Sequence, residues 1–207
     1  MFKNPIIVFE GIEASGKSFH IKNVENHLKK HKIKYIKLRE PGGSMNSEKI
    51  RKVILNKKSK FKNLTDLFLY MAARNENYHY LLKKNYKKKV IIIDRFIDST
   101  IAYQYFGLGV NLKLIKTIHD YLLKDFKIDF TFLNTVNNRN MVKRLKVRKK
   151  LNRYDKFQEK FYIKVQNGFI NLMKKNKKSY LIVDSNLDVN HNKYFIIKKI
   201  KELIKWI

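Results

Sequence analysis

The 207 residues predict an α/β fold in which a five-stranded parallel sheet is flanked by helices on both faces. Three observations carry that expectation. Five short runs of β-formers, at 6–9, 35–38, 90–94, 129–133 and 179–184, alternate with longer stretches of helical spacing. One of them, VIIID at 90–94, sets four consecutive β-formers before an acid, which suits a strand buried on both faces. The first run ends at Glu10 and leads into Gly11-x-x-x-x-Gly16-Lys17-Ser18, after which the spacing turns helical; a strand, a glycine loop and a helix in that order form a phosphate-binding site.

Taken in order, residues 17–31 carry Ile21, Val24 and Leu28 on one helical face, and the strand YIKL at 35–38 is broken abruptly by Arg39-Glu40-Pro41-Gly42-Gly43. Residues 46–57 repeat the helical spacing with Ile50, Val53 and Ile54, and 64–86 form a longer, aromatic-rich helix. After VIIID come helical stretches at 96–106 and 111–125, the strand DFTFL at 129–133, a highly basic segment at 139–154, a helix to about 175, the strand SYLIVD and a closing helix over 192–205. In such a sheet, ligands bind at the carboxyl ends of the strands. The length fits one domain, and the sequence holds no repeat and no long linker.

Composition sets further bounds. Without cysteine, disulfides and thiolate metal sites are excluded. No apolar run approaches the ~20 residues of a membrane span, so a soluble, cytoplasmic protein is expected. The net charge of +30 predicts only weak, non-specific adhesion to polyanions, because the lysines lie scattered through every segment. Against that background arginine is scarce, confined to positions 39, 51, 74, 95, 139, 144, 148 and 153. Lysine does not replace arginine where a planar fork must hold a phosphate, so these positions are candidate ligands.

Each residue type in the loop has a physical reason. Gly11 and Gly16 let the backbone turn its N–H groups inward across Ile12, Glu13, Ala14 and Ser15, and the helix that begins near Lys17 adds its positive end. Lys17 brings a mobile charge to the terminal phosphates of a nucleotide, and the Ser18 hydroxyl is a Mg²⁺ ligand. Asp94 closes the most buried strand, where an acid holds the metal through water or caps a helix, and Arg95 beside it reaches a second phosphate.

In order and at their usual spacing, FEGIEASGKS, REPGGS with Glu48-Lys49-Ile50-Arg51 after it, Ala72-Ala73-Arg74 and DRFIDSTIAYQ resemble the successive signatures of the thymidylate kinase family, from residue 6 to about 185. The resemblance implies a P-loop NTPase-type three-layer fold forming one nucleoside-monophosphate-kinase domain over 1–207, with a helical basic lid inserted at about 139–156. It also implies transfer of the γ-phosphoryl group of ATP to dTMP, with Mg²⁺, in a homodimer.

Residue by residue, the resemblance gives Glu13 a place near the deoxyribose 3′-hydroxyl, although in the sequence it is equally a solvated loop charge. It sets Glu40 and Pro41 beside dTMP, and Arg51 and Arg95 on the dTMP phosphate. Tyr70 is to stack on thymine while Arg74 hydrogen-bonds the base; four residues apart, they share a helix face. Core packing is as good a reading of Tyr70. Ser99, Thr100, Tyr103 and Gln104 match the segment lining base and sugar. The loop interior lacks arginine, so the catalytic cation is expected from the lid, where Arg153 aligns with the lid arginine, Arg148 is a second candidate and Arg144 joins them on the ATP side. Phe19-His20 replace a small polar pair, Lys149 a common glycine, Thr135 a strand-ending Asp and Arg139 a usual Glu.

Overall fold

The computed structural model describes residues 4–124, 126–148 and 152–204; Lys149 lies outside them. Five parallel strands form one sheet in the order β2-β3-β1-β4-β5. They are β1 (Ile6–Glu10), β2 (Tyr35–Arg39), β3 (Val90–Asp94), β4 (Phe130–Thr135) and β5 (Tyr180–Asp184). The central β1 pairs with β3 through Ile7↔Ile92 and with β4 through Phe9↔Phe132.

Side chains alternate across the sheet, as a two-residue period requires. Ile7, Phe9, Ile92, Phe130 and Phe132 face α1 (Lys17–Lys30) and α9 (Val189–Ile204), packing on Val24, Leu28, Ile196 and Ile200. Ile6, Val8, Ile91 and Ile93 point the other way, onto Leu82, Phe96, Leu123 and Phe126. That face is covered by residues of the turn between α3 (Asn63–Asn77) and the short α4 (Lys83–Asn85), of α5 (Ile97–Thr100) and of α6 (Leu112–Leu123). A third cluster joins Leu133 of β4 to Met141 of α7 (Asn138–Lys146) and to Tyr162, Val165 and Phe169 of α8 (Glu159–Lys175). The second helix, α2 (Met45–Leu55), is capped by Ser44.

Three details differ from the sequence expectation. The stretch read as one helix over 64–86 widens into a π-helical turn at Tyr78–Leu82 before α4, and α5 continues as a π-helix through Ile101–Gly107. The strand β4 runs on to Thr135. The basic segment begins as the regular helix α7, in line with the helical segment expected there. No described helix is long and apolar enough to cross a membrane.

Candidate active site

At the carboxyl ends of the strands lies a cavity of about 680 Å³. Its floor is the loop between β1 and α1. Gly11 (φ 135°), Ala14 (φ 56°) and Gly16 (φ 82°) take left-handed backbone conformations. A Cβ on Gly11 would stand 2.1 Å from the Asn134 carbonyl oxygen, so no other residue fits there. Gly16 caps α1 without a side-chain acceptor and no acid occupies the first turn, which leaves the helix N-terminus free for an anion. Lys17 folds over the loop and donates to the carbonyl oxygens of Gly11 and Ile12, both at 2.8 Å. Burial and the neighbouring Arg95 pull its ammonium down to about 8.

Beside the loop, Arg95 leaves β3 with φ 67°, and its guanidinium donates to the Gly11 carbonyl at 2.7 Å and to Glu13 at 3.0 Å. It also lies over the Tyr103 ring, whose hydroxyl donates to Glu13. Asp94 Oδ1 is buried without a partner among the described residues, and Ser18 is exposed on the same cavity wall. A single carboxylate oxygen and a hydroxyl suit Mg²⁺, which takes its other ligands from phosphate and water.

Glu10, which the sequence reading passed over, holds this corner together. Fully buried, it accepts the N–H groups of Phe96 (2.8 Å) and Ser99 (3.2 Å) on one oxygen and the Ser99 hydroxyl on the other, capping α5. Burial pushes its carboxyl up to about 7, and the charge of Asp98 adds to the rise. Between about 4.5 and 7 the native state therefore binds more protons at Glu10 than the unfolded chain, and this part of the stability falls as pH rises. Urea midpoints of wild type and Glu10→Gln should converge or cross as pH is raised through that window, with wild type losing ground; parallel curves would sink the assignment.

The other end of the cavity is built on a buried ion pair. Arg74 of α3, 2% exposed, donates from Nε to Glu40 at 2.6 Å and from Nη1 to Thr100 at 3.0 Å and to His119. Burial and the Arg74 charge hold His119 neutral, so it accepts. Asn77 ties the turn after β2 in place, donating to the Gly42 carbonyl at 2.6 Å and accepting the Ser44 N–H at 2.9 Å. Arg51 donates to the Pro41 carbonyl, across a cis Glu40–Pro41 bond. Tyr70 is partly buried, with its ring edge-on to Tyr154. Gln104 is 1% exposed on the cavity wall, and its Nε2 has no partner among the described residues.

The basic segment separates its four arginines, of which Arg139 lies away from this cavity. Arg144 on α7 bridges the Ala14 carbonyl (3.0 Å) and the Ser185 carbonyl (2.7 Å), tying the loop to the end of β5. Arg148 lines the cavity with its side chain 45% exposed and one nitrogen on Asp155 at 2.7 Å. Arg153, expected to face the donor phosphates, does not line the cavity. Asp66 of α3 holds it, and it lies over Phe61 and Tyr154.

Of the candidate site residues read from the sequence, all line the cavity except Gly11, Ile12, Arg139 and Arg153. Glu10, Asp66, Asn77 and His119 were missed. Glu10 carried a readable signal, an acid closing an apolar strand, the same pattern that marked Asp94; the other three sit at unremarkable helical positions.

A thymidylate kinase family model matches residues 9–196. A thymidylate kinase of Mycoplasma capricolum is 34% identical over 203 residues, covering 96% of this chain and 95% of its own. One from Acholeplasma laidlawii is 34% identical over 187 residues, 89% and 92% of the two chains. The crystal structure of thymidylate kinase from Ehrlichia chaffeensis superposes with a TM-score of 0.78 at 29% identity, over 96% and 99% of the two chains.

Proposed function

The chain belongs to the thymidylate kinase family, and from that premise we propose which of its residues perform the reaction. It is an ATP-dependent nucleoside monophosphate kinase that transfers the γ-phosphoryl group of ATP to dTMP. The observation that carries the residue assignment is a single cavity with the phosphate loop at one end and, at the other, the buried Gln104 amide, whose Nε2 has no partner among the described residues. A planar base with a donor and acceptor on one edge satisfies that amide.

The attacking group is a phosphate oxygen, already anionic, so no general base is needed. Catalysis rests on aligning two nucleotides in line and neutralising charge on the phosphoryl oxygens. The loop N–H groups and Lys17 hold the donor phosphates, and Arg95 and Arg51 hold the acceptor phosphate. Glu13 fixes Arg95 in place at 3.0 Å. Arg74, Ser99, Thr100 and Tyr103 shape the base and sugar pocket, with Tyr70 the ring nearest for stacking. Mg²⁺ would be held by Ser18 and, through water, Asp94, and when bound it neutralises charge between phosphate oxygens.

The segment over 139–156 acts in this reading as a lid that brings its arginines to the donor phosphates. Arg148 is the lid cation best supported, since Arg144 is spent on backbone carbonyls and Arg153 on Asp66. We also propose a homodimer, supported by the large apolar side chains Val53, Leu64 and Phe68 exposed on α2 and α3.

Substrate choice is tested by ADP release from ATP with each deoxynucleoside monophosphate. A pocket built to hydrogen-bond a thymine edge should favour dTMP over dCMP by at least about tenfold in kcat/KM. Equal efficiency on dCMP would overturn the base assignment.

A further inference from the structure

We propose that Phe19 is the platform on which the donor's nucleobase lies, gripped by apolar contact between Phe19 and the pair Leu187 and Val189; this rests on the kinase reading above. Phe19 is the third residue of α1, directly after Ser18 of the glycine loop. Its ring is 48% exposed and lines the donor end of the cavity. Helices α1 and α9 follow parallel strands and pack side by side through Val24, Leu28, Ile196 and Ile200. Their N-termini therefore open together at the carboxyl edge of the sheet. That arrangement brings Leu187 and Val189, 54% and 43% exposed, to the same end of the cavity as Phe19. Three large apolar side chains held out to water at one end of a nucleotide cavity are costly unless a flat ligand covers them. Edge-on contact with His20, ring centroids 5.4 Å apart, steadies the Phe19 ring.

The polar groups nearby are already engaged. Arg144 donates to the Ala14 and Ser185 carbonyls, the Ser185 hydroxyl donates to the Ser15 carbonyl, and the Asn192 amide donates to the Asp184 carbonyl at 2.7 Å. His20 also lines this end, with its Nδ1 buried and without a partner among the described residues. The acceptor end, by contrast, keeps the Gln104 amide free for a base edge. An apolar grip discriminates poorly between bases, whereas hydrogen-bonding sites discriminate strongly. The donor base is thus held by its faces and read loosely.

Steady-state ADP or GDP release at saturating dTMP tests this in the full-length protein. Phe19→Thr should raise the KM for ATP by about tenfold, the scale of one base–aromatic contact. The kcat and the KM for dTMP should stay within about twofold, and Phe19→Trp should restore the ATP value. Wild type should use GTP with a kcat/KM within about tenfold of ATP. A KM shift for ATP below about twofold in Phe19→Thr, or a preference for ATP over GTP beyond about tenfold, overturns the proposal. Absence of dTMP-dependent nucleoside diphosphate release by wild type would instead be a failure of the kinase reading, and is seen before any variant is made.

Discussion

Replacing Arg148 with Ala is expected to lower kcat by about 10³-fold while leaving the KM for dTMP nearly unchanged, the scale of an arginine that neutralises charge on a transferring phosphoryl group. The argument is one of availability. Arg144 has both terminal nitrogens on backbone carbonyls, and losing it would loosen the loop as well as remove a charge. Arg153 is 15% exposed, paired with Asp66 and covered by two aromatic rings. Arg148 is anchored by one nitrogen only, to an Asp155 side chain that has no exposure and is itself fixed by the Asn152 N–H at 2.7 Å. It is a mobile cation on a fixed post, already on the cavity wall. Arg153→Ala should therefore cost kcat only a few-fold, with its effect appearing as lower thermal stability through the unpaired Asp66. A coupled ADP assay at saturating ATP and dTMP separates the two. A 10³-fold loss in Arg153→Ala together with near-normal turnover in Arg148→Ala would mean that the lid rearranges to present Arg153, and would sink this assignment.

That contrast marks where the sequence stopped being informative. Strands buried on both faces must be apolar almost without interruption, so IIVFE and VIIID were legible as the sheet's centre. The glycine loop was legible because its backbone admits few residue types: Gly11 faces the Asn134 carbonyl at a distance that excludes a side chain. Arginine scarcity picked out Arg39, Arg51, Arg74, Arg95, Arg144 and Arg148, which line the cavity, together with Arg139 and Arg153, which do not. It could not say which lid arginine points inward, because the partner that captures Arg153 lies 87 residues earlier. The π-helical turns at Tyr78–Leu82 and Ile101–Gly107 were illegible for another reason. A widened turn shifts the register of side chains by a fraction of a turn, which blurs the hydrophobic period without breaking it.

Arg74 carries the second large expectation, and it concerns the fold as much as the chemistry. Arg74→Leu should lower the unfolding free energy by about 3–5 kcal/mol, the cost of breaking a buried ion pair from one side. For a chain of this size that corresponds to a fall in Tm of roughly 10 °C. Its guanidinium joins four parts of the chain: Glu40 after β2, its own helix α3, Thr100 of α5 and His119 of α6, with the Phe96 ring beneath at 4.9 Å. Leucine fills much of the volume and satisfies none of these groups. Glu40 would be left with only the Asn77 amide, at 3.3 Å, and burial already favours its protonated form. It follows that Arg74→Leu with Glu40→Gln should recover part of the loss, since the stranded charge is then gone. Substrate binding must weaken in the single variant too, because Glu40 and Thr100 both line the acceptor end. Thermal unfolding without nucleotide separates the two roles: if Tm falls by less than about 2 °C while dTMP binding is lost, Arg74 serves the substrate alone and the ion pair does not hold the pocket together.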